Sequence, residues 1–145
     1  MAVDQPTRIG ILVLTHGQAG EELIKSAEMI IGPIDDIAAV PLIPGQSPEE
    51  YWVEVERVLR KMPAHNLILT DLFGGTPSNL AAALSAHWQL WVVSGLNLGM
   101  LIRAVESRGT LQGEDLAEDV ARAGRETVRN VTAMLREMTT RWTGE

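Results

Sequence analysis

A histidine and an aspartate each stand where a charge-free apolar run breaks into a polar turn containing glycine. His16 follows Ile9-Gly10-Ile11-Leu12-Val13-Leu14 within Thr15-His16-Gly17, and Asp71 follows Leu67-Ile68-Leu69-Thr70 and opens Asp71-Leu72-Phe73-Gly74-Gly75-Thr76-Pro77. If the two meet, the carboxylate accepts a hydrogen bond from one ring nitrogen and fixes the tautomer. The other nitrogen then presents its lone pair as a nucleophile, and the carboxylate offsets the positive charge that grows on the ring. Thr76-Pro77 reads as a helix start, with Thr76 as N-cap and Pro77 in the first helical position. Backbone N–H groups around Gly74, Gly75 and Thr76, backed by the helix dipole, favour an anion. With the Thr76 hydroxyl they would hold the oxygens of a phosphoryl group. A plain tight turn accounts for Gly74-Gly75 equally well, so the functional reading depends on whether His16 and Asp71 converge.

The elements that must position them alternate. Ile9 to Leu14, Ile37 to Leu42, Leu67 to Thr70 and Leu90 to Val93 read as buried strands. Between them lie helices: one with Ala19, Leu23, Ala27, Ile30 and Ile31 on a face, stopping at Gly32-Pro33, and one opened by Ser47-Pro48-Glu49-Glu50 with Trp52, Val55, Leu59 and Met62 inward. The helix after Gly75 and a short one from Asn97 through Val105 complete the alternation, and Gly109 to Gly113 is a hinge or turn. A last helix carries Leu116, Val120, Ala123, Val128, Val131, Leu135, Met138 and Trp142 at helical spacing. This pattern predicts an α/β fold: an open, mainly parallel sheet of four strands in the flavodoxin-like order 2-1-3-4, with room for a fifth edge strand and helices on both faces. Residues 1–145 read as a single domain with a long C-terminal helix, a helical segment over about 114–142. In that order strands one and three are neighbours and the topological switch lies between them. His16 and Asp71 then face each other at the carboxyl edge, which decides for function.

Composition narrows the partners. The 145 residues carry a net charge of −7 with 46% apolar residues and no cysteine. The acidic balance leaves no basic stripe for nucleic acid, and the missing thiols remove disulfides, thiolate catalysis and Cys-based zinc sites. The start, MAVDQPTR, lacks the apolar core of a signal peptide, and no run approaches the roughly 20 residues of a membrane span. A cytoplasmic protein is expected. No Walker lysine motif marks a nucleotide as donor, and the reading calls for no cofactor and no metal.

Three stretches together, Leu12 to Gly20 (LVLTHGQAG), Leu67 to Ala81 (LILTDLFGGTPSNLA) and Ser94 to Leu101 (SGLNLGML), resemble the IIA component of the mannose/fructose/sorbose-family sugar phosphotransferase system. The resemblance runs in order over residues 8–107. It implies a phosphotransferase, the histidine phosphocarrier part of a sugar kinase and transport system. Such a domain takes a phosphoryl group from HPr and hands it to a IIB component coupled to membrane IIC and IID. It implies that His16 is the phosphoacceptor through Nε2, that Asp71 bonds the other ring nitrogen, and that Thr76 after Gly74 and Gly75 helps bind phosphate. Thr15 and Gly17 belong to the histidine motif, and Asn97 stands in the NL motif beside the same edge. It also implies a homodimer, here with the C-terminal segment in or near the interface. One departure is visible: Gly99 stands where the family pattern has proline, which loosens that helix start by up to about 1 kcal/mol.

Two rival functions share these residues. A regulatory phosphohistidine module would use the same His16. A receiver-like domain would be phosphorylated on Asp71, but its acidic pair for magnesium is replaced by Thr15-His16. His65 and His87 precede strands at the amino edge, roughly 17–20 Å from the other edge by strand length, and read as surface residues. Asp35-Asp36 reads as a solvated turn. The four tryptophans, Trp52, Trp88, Trp91 and Trp142, read as packing or interface residues.

Overall fold

The computed structural model describes residues 7–143. Its strands are β1 (Ile9–His16), β2 (Ile37–Leu42), β3 (His65–Thr70) and β4 (Leu90–Ser94). Between and after them come α1 (Ala19–Ile31), α2 (Pro48–Leu59), α3 (Thr76–Leu84), α4 (Leu98–Ser107), α5 (Gly113–Glu126) and α6 (Val131–Thr143). Every strand pair is parallel and the order is β2-β1-β3-β4, as expected. Among the described residues no fifth strand forms, because the chain after α4 turns and is helical from Gly113.

Alternation along the central strands builds the two layers. Ile9, Ile11 and Val13 of β1, with Leu67 and Leu69 of β3, face a cluster holding Ala27 of α1, Met100 and Leu101 of α4, and Leu116 and Val120 of α5. Leu12 and Leu14, with Ile68, face Tyr51, Val55 and Leu59 of α2 and Leu80, Ala81 and Leu84 of α3. A strand whose two faces are both covered is apolar along nearly all of its middle, which is why Ile9 to Leu14 and Leu67 to Leu69 read as continuous runs, with the buried polar Thr15, Asn66 and Thr70 at the strand ends.

Four local expectations shift. The inner face of α2 is led by Tyr51, which is fully buried and donates its hydroxyl to Val40 O at 2.6 Å. Trp52 is only half-buried and donates to Glu56, as does Trp88. Ile30 and Ile31 are exposed at the end of α1, beyond the reach of the sheet. Gly75, not Thr76, is the N-cap of α3, so Thr76 is the first helical residue and Pro77 the second; a proline there still lacks only an N–H the helix cannot use.

The fourth shift is at the C-terminus, where the helical segment expected over 114–142 is two helices. The Thr127 hydroxyl has one hydrogen to share between Gly124 O at 2.7 Å and Asn97 Oδ1 at 3.1 Å, tying the end of α5 to the start of α4. Asn130 then accepts the Ala133 N–H at 3.0 Å, starting a new helix as a capping asparagine does. At the opposite edge Arg108 donates to the carbonyls of Ile9, Asp35 and Asp36, and the Asp36 carboxylate pairs with Arg8. The Asp35-Asp36 turn is therefore a clamped corner of the sheet.

Candidate active site

The β1–β3 ladder ends at Leu14 opposite Thr70. Beyond it β3 turns away, and the Asp71 carboxylate takes over the bonding a continuing strand would supply. Its Oδ2 accepts the His16 backbone N–H at 2.9 Å and contacts ring Nδ1 at 3.0 Å. One oxygen thus holds both the backbone and the ring of the same residue. With Nδ1 as donor to the carboxylate, Nε2 is left unprotonated in the neutral ring. The His16 side chain is 48% exposed and Asp71 26%, so the ring is reachable from outside while its partner sits behind it. Burial pushes the Asp71 pKa up, but the His16 backbone N–H, the ring hydrogen bond and the ring charge outweigh it, and the carboxyl ends below its ordinary value. Behind Asp71, burial and the negative charge of Asp71 together push the Tyr51 phenol well above its ordinary range.

The glycine turn lies against the ring. A Cβ at Gly75 would stand 2.8 Å from His16 Cε1 and 3.4 Å from Nε2. Gly74 has φ +85°, the left-handed geometry that turns the chain from β3 toward α3. The first-turn N–H groups of α3 have no partner within the helix, and they begin beside Nε2. Beneath the loop, the buried Thr15 hydroxyl accepts from Gly20 N at 3.0 Å and donates to Gly17 O at 2.9 Å, fixing the Thr15-His16-Gly17 turn. His16, Asp71, Gly74, Gly75 and Thr76 are therefore one constellation, with Thr15 and Gly17 as its support.

Asn97 does something different. It caps α4 by accepting Met100 N at 2.8 Å, and it donates to Gly124 O and accepts from Thr127. Its hydrogen bonds hold α4 to α5 and do not reach His16 or Asp71. Gly99 is explained by the same contact: a Cβ there would stand 2.3 Å from Thr127 Cγ2. The glycine is space for Thr127, and the looser helix start follows from that. His65 and His87 are exposed at the amino edge, as expected, and no group of three or more potential metal ligands exists among the described residues.

Sequence reasoning did not single out the rim. Leu72 and Phe73, between Asp71 and the glycines, are 60% and 85% exposed. A groove of about 560 Å³ runs from Thr76, Asn79 and Leu80 to Pro48, Trp52 and Val53 of α2. The signal was present: two large apolar side chains in a turn that has no core to fill. An exposed apolar rim beside a reachable imidazole suits a protein partner better than a small solute. As for a nucleophilic Asp71, its Oδ2 is already engaged by two His16 groups, and the chemistry favoured by the geometry is nucleophilic attack from Nε2.

Residues 10–123 match the family described as PTS system fructose IIA component. The chain is 30% identical over 131 residues to the PTS system mannose-specific EIIAB component of Escherichia coli (strain K12), a match covering 86% of this chain and 40% of that protein. It therefore spans well under half of that relative. It is also 30% identical over 115 residues to the PTS system fructose-specific EIIA component of Bacillus subtilis (strain 168), covering 77% of this chain and 79% of that one. Among solved structures, the phosphotransferase system component EIIA from Streptococcus agalactiae superposes with a TM-score of 0.81 at 32% identity, covering 87% of this chain and 99% of that chain.

Proposed function

The chain belongs to the PTS system fructose IIA component family, and we propose that it carries a phosphoryl group on Nε2 of His16 between two protein partners of a sugar phosphotransferase system. The observation that carries this reading is the double contact of His16 with Asp71 Oδ2. It orients the ring and leaves Nε2 facing the Gly75–Thr76 turn.

In the forward step the Nε2 lone pair attacks the phosphorus of phosphohistidine on HPr. The new N–P bond forms as the old one breaks, and the electron pair returns to the donor imidazole. The imidazolium that results is offset by Asp71, whose carboxyl stays ionised because its pKa lies below the ordinary value. The first-turn N–H groups of α3 and the Thr76 hydroxyl receive the phosphoryl oxygens. The second step reverses this toward a IIB component, itself coupled to membrane IIC and IID. Leu72, Phe73 and the groove along α2 form the surface on which both partners sit. A homodimer and a place in the cytoplasm belong to the same reading; no helix of the described residues is long and apolar enough to cross a membrane.

The test is phosphorylation by phosphoenolpyruvate, enzyme I and HPr, followed by intact mass. One added phosphoryl group, labile in acid and stable in base, is expected. His16→Ala should take none. Asp71→Asn should still label, slowed by roughly 10²–10⁴-fold through loss of orientation and charge compensation. Labelling of His16→Ala with none on Asp71→Asn would overturn the assignment.

A further inference from the structure

We propose that Asn79 is a positioning residue for the transfer: its side-chain amide fixes which way the Gly74–Gly75 peptide faces, so that the Gly75 N–H is turned toward the phosphoryl group on His16. The proposal rests on the reading of His16 as phosphoacceptor. It adds to that reading a residue that touches neither the ring nor the phosphoryl group.

Asn79 is the fourth residue of α3, whose N-cap is Gly75, and it bonds the glycine turn twice. Its backbone N–H donates to Gly75 O at 2.9 Å, the ordinary first bond of a helix to its N-cap carbonyl. Its Nδ2 donates to Gly74 O at 3.3 Å, a bond the helix does not require. Asparagine is among the poorer helix formers, and here it is exposed and caps nothing. The residues after it, Leu80-Ala81-Ala82-Ala83-Leu84, are strong formers. Among the described residues, the bond to the turn is the only one its side chain makes.

A trans peptide is planar, with its C=O and N–H on opposite sides. Holding the Gly74 carbonyl against α3 therefore sends the Gly75 N–H the other way, out past the helix start. The ring lies against Gly75, where a β-carbon would stand 3.4 Å from Nε2. The chain itself does not select this orientation. The torsions that turn the peptide over, ψ of Gly74 and φ of Gly75, both belong to glycines, which accept either sign. Space around Gly74 is open, with nothing within 4 Å of an added β-carbon. Turned over, the peptide would present its carbonyl oxygen to the phosphoryl oxygens, and attraction would become repulsion. In the productive orientation the two bonds reinforce each other, because an anion on the N–H polarises the peptide and makes its carbonyl a better acceptor for Asn79.

Stopped-flow transfer from phospho-HPr to the wild type, Asn79→Ala and Asn79→Asp tests this, with intact mass counting the phosphoryl groups. Asn79→Ala should lower the saturating rate by roughly threefold to tenfold, the factor one neutral hydrogen bond holds. The half-saturating concentration of phospho-HPr should not change. Asn79→Asp should be slower still, since a carboxylate repels the Gly74 carbonyl and attracts the N–H. The melting temperature of Asn79→Ala should stay close to that of the wild type, because the better helix former offsets the lost bond. In proton–nitrogen NMR spectra the Gly75 N–H and the Asn79 side-chain amide should both shift when His16 is phosphorylated. The Gly75 shift should shrink in Asn79→Ala. Asn79 also lines the groove along α2, so a raised half-saturating concentration at an unchanged saturating rate would make it a docking residue and overturn the proposal. An unchanged Gly75 shift would overturn it too. A wild type that takes no phosphoryl group would overturn the phosphocarrier reading itself. A wild type labelled on His16, with Asn79→Ala equally fast, would overturn only the role of Asn79.

Discussion

Gly75 packs against the imidazole of His16 so closely that a β-carbon would stand 2.8 Å from Cε1. Its backbone, at φ −83° and ψ 171°, is open to any residue. The glycine is therefore required for space and not for conformation. Its neighbour Gly74 is the reverse case, with φ +85° and nothing within 4 Å of an added β-carbon.

That contrast makes a pair of substitutions informative. Gly75→Ala should displace the ring and slow phosphorylation by roughly 10–100-fold, because a misplacement of about 1 Å costs on the order of 10² in rate. It should also cost up to about 1 kcal/mol of stability, since alanine is a poorer N-cap than glycine. Gly74→Ala should cost about 1–2 kcal/mol of stability through left-handed strain and affect transfer less. Equal slowing of transfer by the two would mean that the turn has a single role.

Thr76→Val should keep α3, since Gly75 is its N-cap and threonine and valine have similar shape. One hydroxyl contact to a phosphoryl oxygen is worth about 0.5–1.5 kcal/mol, so transfer should slow by roughly threefold to tenfold. Stopped-flow rates with phospho-HPr measure this, and an unchanged rate would leave Thr76 as a helix residue only.

Much of this was legible beforehand, for physical reasons. Doubly covered strands are apolar through their middles, so β1 and β3 announce themselves, and alternation with helices points to a parallel order that brings His16 to Asp71. What sequence could not show was space. Nothing in Gly75 or Gly99 says that one makes room for an imidazole and the other for Thr127. The break between α5 and α6 was hidden because Val128 and Val131 carry the apolar spacing across it. Asn130, a capping residue, was the only local sign. Trp52 and Tyr51 are adjacent in sequence and nothing local says which turns inward; the phenol does, because it has the Val40 carbonyl to satisfy it.

Asp71 predicts a pH dependence of stability. Its folded pKa is depressed, so the stabilisation is fully present above the unfolded value of about 3.9. It is lost as pH falls through the lower folded value. The stability difference between the wild type and Asp71→Asn should therefore be constant from neutral pH down to about 5 and shrink below about 4. Urea unfolding at a series of pH values gives the curve. A difference that grows on acidification would mean that the contact prefers the protonated carboxyl.

Gly99 and Thr127 predict a coupling. In an open helix, Gly→Ala gains roughly 0.5–1 kcal/mol of stability. At Gly99 the new methyl meets Thr127 Cγ2, 2.3 Å away, and the end of α5 must move. Gly99→Ala alone should destabilise by about 1–3 kcal/mol, the range for overpacking a filled site. Thr127→Ala alone should cost about 1 kcal/mol, since it removes the hydroxyl bonds to Gly124 O and Asn97 Oδ1. In the double variant the worst of the clash is gone with Cγ2, leaving only the residue-127 β-carbon at 3.1 Å to give by a few tenths of an ångström, and part of the helical preference of alanine is recovered. The pair should then be more stable than the sum of the singles by about 1–2 kcal/mol, well beyond the few tenths seen for independent sites. Additive losses would mean that α5 yields freely at Thr127. The glycine would then owe its place to something other than that contact.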